Sequence, residues 1–124
     1  MSEPSVLMVE DEMYLAMMLE DILVDAGFHV LRAARLSEAL QLATQEHVDV
    51  AILDINLNGE AVYPVAAKLQ DQGVPFMFAS AYGQPAIPEA YKEHPVLPKP
   101  YPVARIVPAL QELLDAPPPS ATPH

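Results

Sequence analysis

Carboxylate, hydroxyl and ammonium side chains stand at four points of the chain where predicted strands end. An acidic run at 10–12 follows the first strand, and Asp54 follows the third. Ser80 closes the fourth strand, and Lys99 follows the fifth. In an open parallel sheet, ligands bind beyond the carboxyl ends of the strands, where the strand order reverses. These side chains are therefore predicted to meet in one site.

The chemistry of this site follows from its charges. Carboxylates that close together cannot all stay ionised unless something positive neutralises them. Oxygen ligands without cysteine or a histidine cluster suit a hard cation, and Mg²⁺ fits best. A hydroxyl from Ser80, an ammonium from Lys99 and a divalent cation around a carboxylate form a site for a tetrahedral dianion. Phosphoryl transfer needs little else, because its catalysis is mostly positioning and charge stabilisation. Asp54 is then a nucleophile that forms an acyl phosphate.

The elements that must position these residues alternate between strand-like and helix-like patterns, which indicates βα units on a parallel sheet. Short apolar runs predict strands at 6–9, 28–31, 48–53, 76–79 and 96–97. Helical spacing of apolar residues predicts helices at 13–26, 38–45, 61–72 and 102–115, with Ser37 as an N-cap and Gly27 and Gly73 as C-terminal caps. We predict an α/β fold with about five helices: a doubly wound five-stranded parallel sheet of flavodoxin-like order 2-1-3-4-5, with helices on both faces.

Composition sets the remaining limits. The 124 residues are enough for one domain and are 52% hydrophobic, which predicts a packed core. We assign residues 1–115 to this domain and residues 116–124, which are rich in proline, to a disordered tail. The net charge of −11 repels nucleic-acid phosphates and anionic lipids. The sequence shows neither a secretory signal nor an apolar run of the ~20 residues that a membrane span requires, so we expect a cytoplasmic protein.

From about Ser5 to Leu114 the chain resembles the receiver domains of two-component response regulators. The matching motifs are Val9-Glu10-Asp11-Glu12, Ile52-Leu53-Asp54-Ile55-Asn56-Leu57, Ser80 and Lys99-Pro100. The resemblance implies that Asp11, Asp54 and the main-chain carbonyl of Asn56 hold Mg²⁺, with Glu10 acting through water. It also implies that Ser80 and Lys99 contact the phosphoryl oxygens, and that a cis peptide joins Lys99 to Pro100.

Two positions depart from the common receiver pattern, which often has a proline where this chain has Asn58. The aromatic residue that usually rotates with the hydroxyl residue lies three positions before the lysine, where this chain has Val96. The stretch 75–83 is similar to a receiver subgroup marked by Phe-Ala-Thr-Gly-Tyr-Gly, whose members are often free-standing and paired with HWE/HisKA2 histidine kinases. Pro85 and Pro88 leave room for at most a short helix in 84–93. We predict that 81–93 is mobile and becomes ordered on phosphorylation.

The leading hypothesis is a stand-alone receiver that accepts a phosphoryl group from a histidine kinase or phosphotransfer protein and signals to an unknown downstream protein. It predicts at most self-catalysed phosphotransfer and autodephosphorylation rather than enzyme turnover, with no nucleic-acid or membrane partner. One alternative is a small Mg²⁺-dependent phosphatase or phosphotransferase that uses an aspartyl phosphate. Another is an interaction module that works without phosphorylation. Individually, Ser80 could also be only a strand cap, and Tyr101 is interpreted as a core residue.

Overall fold

Seven strands and four α-helices form in the residues that the computed structural model describes, which are 3–57, 59–81 and 87–115. The strands are β1 (Ser5–Val9), β2 (His29–Ala33), β3 (Val50–Asp54), β4 (Asn56–Leu57), β5 (Glu60–Ala61), β6 (Phe76–Ser80) and β7 (Val96–Pro98). The helices are α1 (Met13–Asp25), α2 (Leu36–Gln45), α3 (Tyr63–Asp71) and α4 (Val103–Asp115). None of these helices is long and apolar enough to cross a membrane.

Five of the strands form one parallel sheet in the order β2-β1-β3-β6-β7. Because β6 and β7 are its fourth and fifth strands along the chain, this order confirms the predicted flavodoxin-like arrangement. The order reverses between β1 and β3, so the first and third strands lie side by side. The carboxyl ends of these two strands therefore flank the crevice in which ligands bind in such sheets.

The central strands β3 and β6 are apolar up to their last residues, Asp54 and Ser80, because helices cover both faces of the sheet. All five residues of β3 and of β6 are buried. Alternate residues divide between two cores, so that Leu53 and Phe78 pack with α2 and α3 on one face. Ile52 and Met77 pack with α1 and α4 on the other. The two-residue period of β-structure thus explains why nearly continuous apolar runs predicted these strands.

Capping explains where the helices begin and end. The Glu12 carboxylate accepts a hydrogen bond from the main-chain N–H of Tyr14 at 3.1 Å, which satisfies a donor of the first turn of α1. Gly27, with φ of 93°, and Gly73, with φ of 74°, follow α1 and α3 as predicted. Both adopt the left-handed conformation that favours glycine after a helix.

The predicted starts of the second and third helices were wrong. α2 begins at Leu36, before the predicted cap Ser37, and no side chain caps it. The Glu38 carboxylate instead accepts from the N–H of Ala34 at 3.1 Å, so a residue inside the helix satisfies the preceding backbone. α3 begins at Tyr63 because 60–61 pairs with 56–57 in the antiparallel hairpin of β4 and β5.

In 84–93, where the sequence left room for at most a short helix, the described residues form a 3₁₀ turn, Glu89–Tyr91. Aromatic contacts hold this turn: the Tyr91 ring stacks on Tyr63 with centroids 5.7 Å apart. The adjoining His94 ring stacks on Phe76 at 3.8 Å, and its Nδ1 lies 3.2 Å from the Phe76 carbonyl oxygen. Position 58, residues 82–86 and the predicted disordered tail 116–124 lie outside the described residues.

Candidate functional site

Main-chain hydrogen bonds extend the sheet ladder beyond its last paired residues and so fix the candidate site residues. The N–H of Glu10 donates to the Ala33 carbonyl at 3.0 Å, which continues the pairing of β1 with β2. The N–H of Lys99 donates to the Ser80 carbonyl at 2.9 Å, beyond the pairing of β6 with β7. Asp54 is the last residue of β3. These side chains therefore start from positions set by the sheet rather than by flexible loops.

Lys99 joins two carboxylates at this edge of the sheet. Its Nζ lies 2.9 Å from Oδ2 of Asp54 and 2.8 Å from Oε1 of Glu10. The side chains of Lys99, Asp54 and Glu10 are 11%, 7% and 0% exposed, respectively. Charges withdrawn this far from water must be paired, since desolvation disfavours an isolated ion strongly. The ammonium is therefore the internal counter-ion of the site. As the resemblance implied, the peptide between Lys99 and Pro100 is cis.

Glu10 has hydrogen-bond donors on both carboxylate oxygens. Oε1 accepts from the hydroxyl of Tyr101 at 2.6 Å in addition to the Lys99 contact. Oε2 accepts from the main-chain N–H of Glu12 at 3.0 Å and from Lys99 at 3.1 Å. Burial raises the pKa of Tyr101, and the Glu10 carboxylate raises it further. The phenol consequently stays neutral and acts as the donor in this pair.

Three carboxylates of the site are close enough to share a cation. One oxygen each from Glu10, Asp11 and Asp54 lies within 4.8 Å of the others. Glu10 and Asp54 are buried, whereas Asp11 is exposed at the mouth. Oxygen-only ligands with an exposed side suit Mg²⁺, which keeps several of its waters when it binds to proteins. The donor set thus fits a hard divalent cation.

The charge state of Asp54 reflects both burial and its neighbours. Burial raises its pKa from the ordinary value of 3.8 to about 7, and the charges of Glu10 and Asp11 act in the same direction. The hydrogen bond and charge of Lys99 oppose the increase without cancelling it. For Lys99, burial disfavours the ammonium, but the two carboxylates outweigh it and raise the pKa. An additional positive charge at the site is therefore expected to favour ionised Asp54.

A cleft of about 200 Å³ opens above these groups. Its lining consists of Asp11, Glu12, Asp54, Ile55, Asn56, Ser80, Ala81 and Lys99. Larger clefts occur elsewhere, including one of about 410 Å³ at the amino ends of β3 and β6. The three clustered carboxylates and Lys99 nevertheless lie at the smaller cleft or directly beneath it. The clustering of charge rather than the volume therefore identifies the candidate site.

The structure brings all the predicted side chains to this cleft or directly beneath it. Ser80 is buried, with 5% of its surface exposed, at the end of β6. Asn56 is exposed in the hairpin, and its N–H lies 3.4 Å from Oδ1 of Asp54. The amide oxygen of Asn56 accepts from the N–H of Gly59 at 2.9 Å, which closes the turn. The assignment of the Asn56 main-chain carbonyl as a metal ligand stays a prediction.

Tyr101 makes a contact with the site that the sequence analysis did not predict. It was interpreted as a core residue, and its ring does pack with α1 and α4 at 5% exposure. Its hydroxyl, however, contacts Glu10 across 91 residues of sequence. The available signal was chemical: a buried tyrosine hydroxyl usually finds a partner, and Tyr101 lies two residues after Lys99.

Comparisons with known proteins agree with this architecture. Residues 6–111 match the family of the response regulator receiver domain. The solution structure of SdrG from Sphingomonas melonis is 36% identical, with a TM-score of 0.79 over 92% of this chain and 99% of that one. A receiver protein from Sinorhizobium medicae is 24% identical, with a TM-score of 0.79 over 92% and 96% of the two chains. A CheY-like receiver domain protein from Methanospirillum hungatei has the same fold at 21% identity, with a TM-score of 0.83 over 92% and 95%. The chain therefore belongs to the response regulator receiver domain family.

Proposed function

We propose that this receiver domain accepts a phosphoryl group on Asp54, with Mg²⁺ bound beside it, and that a histidine kinase or phosphotransfer protein supplies the group. The observation that carries the proposal is the pairing of buried Asp54 with Lys99 at 2.9 Å, next to the carboxylates of Glu10 and Asp11. A carboxylate on the surface is stabilised by water and does not require a paired ammonium or neighbouring carboxylates. Here they provide a nucleophile, a fixed positive charge and oxygen ligands in one cleft.

In the proposed reaction, an ionised oxygen of Asp54 attacks the phosphorus atom of the donor. A bond forms between this oxygen and phosphorus while the bond from phosphorus to the donor's leaving group breaks, and that group departs with the electron pair. The ammonium of Lys99 then turns from the Asp54 carboxylate to an oxygen of the new phosphoryl group. The hydroxyl of Ser80 donates a hydrogen bond to another oxygen of that group. A bound Mg²⁺ supplies neutralisation of the phosphoryl oxygens and of the surrounding carboxylates.

The output of the domain is proposed to be a change in protein contacts. Val96 lies beside Phe78 in the sheet and packs with the core on the α2 and α3 face. A valine carries no ring that could fill space vacated near Ser80. The predicted alternative is ordering of 81–93, part of which lies outside the described residues. The pairing with HWE/HisKA2 kinases also stays a prediction, as does the identity of the downstream protein.

Incubation with a small phosphodonor and Mg²⁺, followed by intact-mass measurement, tests the proposal. We expect one added phosphoryl group on the wild type, and none on Asp54→Asn, which preserves shape but removes the nucleophile. Continued release of phosphate with many turnovers would support a phosphatase or phosphotransferase instead. An unmodified wild type would support an interaction module that works without phosphorylation. A phosphorylated Asp54→Asn variant would place the acceptor on another residue.

A further inference from the structure

We infer that the hydroxyl of Tyr101 is a positioning group, which fixes the Glu10 carboxylate and through it the geometry of Lys99 and of the cation site. The inference deepens the proposed function and rests on it for the cation. It starts from a separate observation, the 2.6 Å hydrogen bond between the Tyr101 hydroxyl and Oε1 of Glu10.

Glu10 needs such fixing because its side chain is fully buried beside other carboxylates. An ionised carboxylate has about four lone-pair positions for donors. In this structure the four contacts come from Tyr101 and Lys99 on Oε1, and from Lys99 and the Glu12 N–H on Oε2. Lys99 thus contacts both oxygens, by an ion pair with Oε1 and a hydrogen bond to Oε2, and each oxygen also has a donor from another group.

These two kinds of donor differ in what they can do during phosphorylation. Lys99 is shared with Asp54 and turns toward the phosphoryl group in the proposed reaction. The Glu12 N–H belongs to the backbone at the start of α1, and the Tyr101 ring is packed in the core. The Tyr101 hydroxyl and the Glu12 N–H therefore remain hydrogen-bonded to the Glu10 carboxylate after Lys99 has turned toward the phosphoryl group. Without the hydroxyl, Oε1 would have no remaining donor among these groups.

Tyr101 does not line the cleft and lies beneath it, so it acts through Glu10 rather than on a ligand. Tyr101→Phe removes only the hydroxyl and leaves a ring that fills the same space. We expect the fold to persist, while the Glu10 carboxylate loses its orientation. Loss of one hydrogen bond to a charged group predicts that Mg²⁺ binding weakens by about tenfold or more.

A double-mutant cycle separates positioning from packing. Mg²⁺ affinity is measured by calorimetric titration for the wild type, Tyr101→Phe, Glu10→Ala, which removes the acceptor, and the double variant. Tyr63→Phe is the matched control, because its half-buried ring lies away from the cleft. We expect weaker binding by Tyr101→Phe in the wild-type background, a change below about twofold in the Glu10→Ala background, and no change in the control. Equal weakening in both backgrounds, or none in either, would overturn the inference.

A second measurement needs no cation. The Glu12 amide donates to the other oxygen of Glu10, so its proton resonance reports on the carboxylate orientation. We expect Tyr101→Phe to shift this resonance in the wild-type background, and to leave it nearly unchanged in the Glu10→Ala background. A resonance unaffected by Tyr101→Phe would refute the positioning role. If the resonance shifts but the wild type binds no Mg²⁺, the positioning of Glu10 stands and the proposed cation site fails.

Discussion

Stability without divalent cations should increase as the pH falls from 8 to 5, because of Asp54. Burial together with Glu10 and Asp11 raises the pKa of this residue from 3.8 to about 7 in the folded protein. The folded state therefore binds a proton at a pH where the unfolded state does not. For a carboxyl group with a raised pKa, the free energy of unfolding rises as pH falls through the folded-state value, and the increase stops near the unfolded-state value.

The size of this effect follows from the shift. Each pH unit below the folded-state pKa adds about 1.4 kcal/mol, so lowering the pH from 8 to 5 adds at most about 2 to 3 kcal/mol. For a domain of this length that corresponds to roughly 10 °C in melting temperature. His94 acts in the opposite direction. Burial lowers the pKa of His94 below its ordinary value of 6.5. The stability due to neutral His94 is therefore lost as the pH falls below 6.5.

The assay therefore compares two proteins instead of following one. Urea unfolding is measured for the wild type and for Asp54→Asn at each pH in the presence of a chelator. Contributions from His94 and from carboxylates that do not interact with Asp54 cancel in the difference. We expect Asp54→Asn to be the more stable protein at pH 8, and its advantage to shrink by about 2 to 3 kcal/mol at pH 5. Curves that stay parallel across this range would refute the raised pKa of Asp54.

Addition of Mg²⁺ provides the control for this prediction. A cation bound by ionised Asp54 stabilises the folded wild type by mass action, most strongly at high pH. The advantage of Asp54→Asn at pH 8 should then decrease or reverse. If Mg²⁺ changed both proteins equally, the ion would be binding somewhere other than at Asp54.

Three further predictions concern the other parts of the site. Asp11→Asn should reduce both the increase in melting temperature across a Mg²⁺ titration and the phosphorylation rate; a wild-type response would remove Asp11 from the metal site. Lys99→Ala should destabilise the cation-free protein by about 3 kcal/mol in urea, because it leaves buried carboxylates without their counter-ion, while the exposed control Lys92→Ala costs less than about 1 kcal/mol. Equal effects of these two variants would contradict the buried pairing. Phosphorylation should slow amide exchange in 81–93, and unchanged protection there with changes elsewhere would mean that the signal leaves through another surface.

Much of the fold could be predicted from local patterns, because burial and backbone conformation restrict the residue types that a strand or a helix end can contain. A strand covered on both faces must be apolar where the helices cover it, and residues 6–9 of β1, 50–53 of β3 and 76–79 of β6 are. Glycine after a helix allows a positive φ, which placed the ends of α1 and α3. Once strands and helices alternate, the parallel sheet and the meeting of residues at its carboxyl edge follow from chain topology.

The errors lie where a local preference competes with a contact that the local sequence does not show. Ser37 is a good N-cap by residue type, yet α2 starts before it and Glu38 bonds the preceding backbone. Ala61 was predicted to begin a helix, yet residues 60–61 pair with 56–57 in a hairpin. In both places hydrogen bonds outside the local pattern compete with a small preference, which is about 1 kcal/mol for an N-cap and tenths of a kcal/mol per residue for helix propensity.

The sequence by itself determined which residue types reach the site, since a carboxylate directly after a buried strand must emerge at the edge of the sheet. Only the tertiary structure decided their charge and their partners. Lys99 lies 89 residues from Glu10 and 45 from Asp54 in the chain, and Tyr101 lies 91 from Glu10. Burial and the distances between such remote groups set the pKa of Asp54 and the orientation of Glu10. Neither quantity has a local signature, because electrostatic energies depend on separation in space and on exclusion of water.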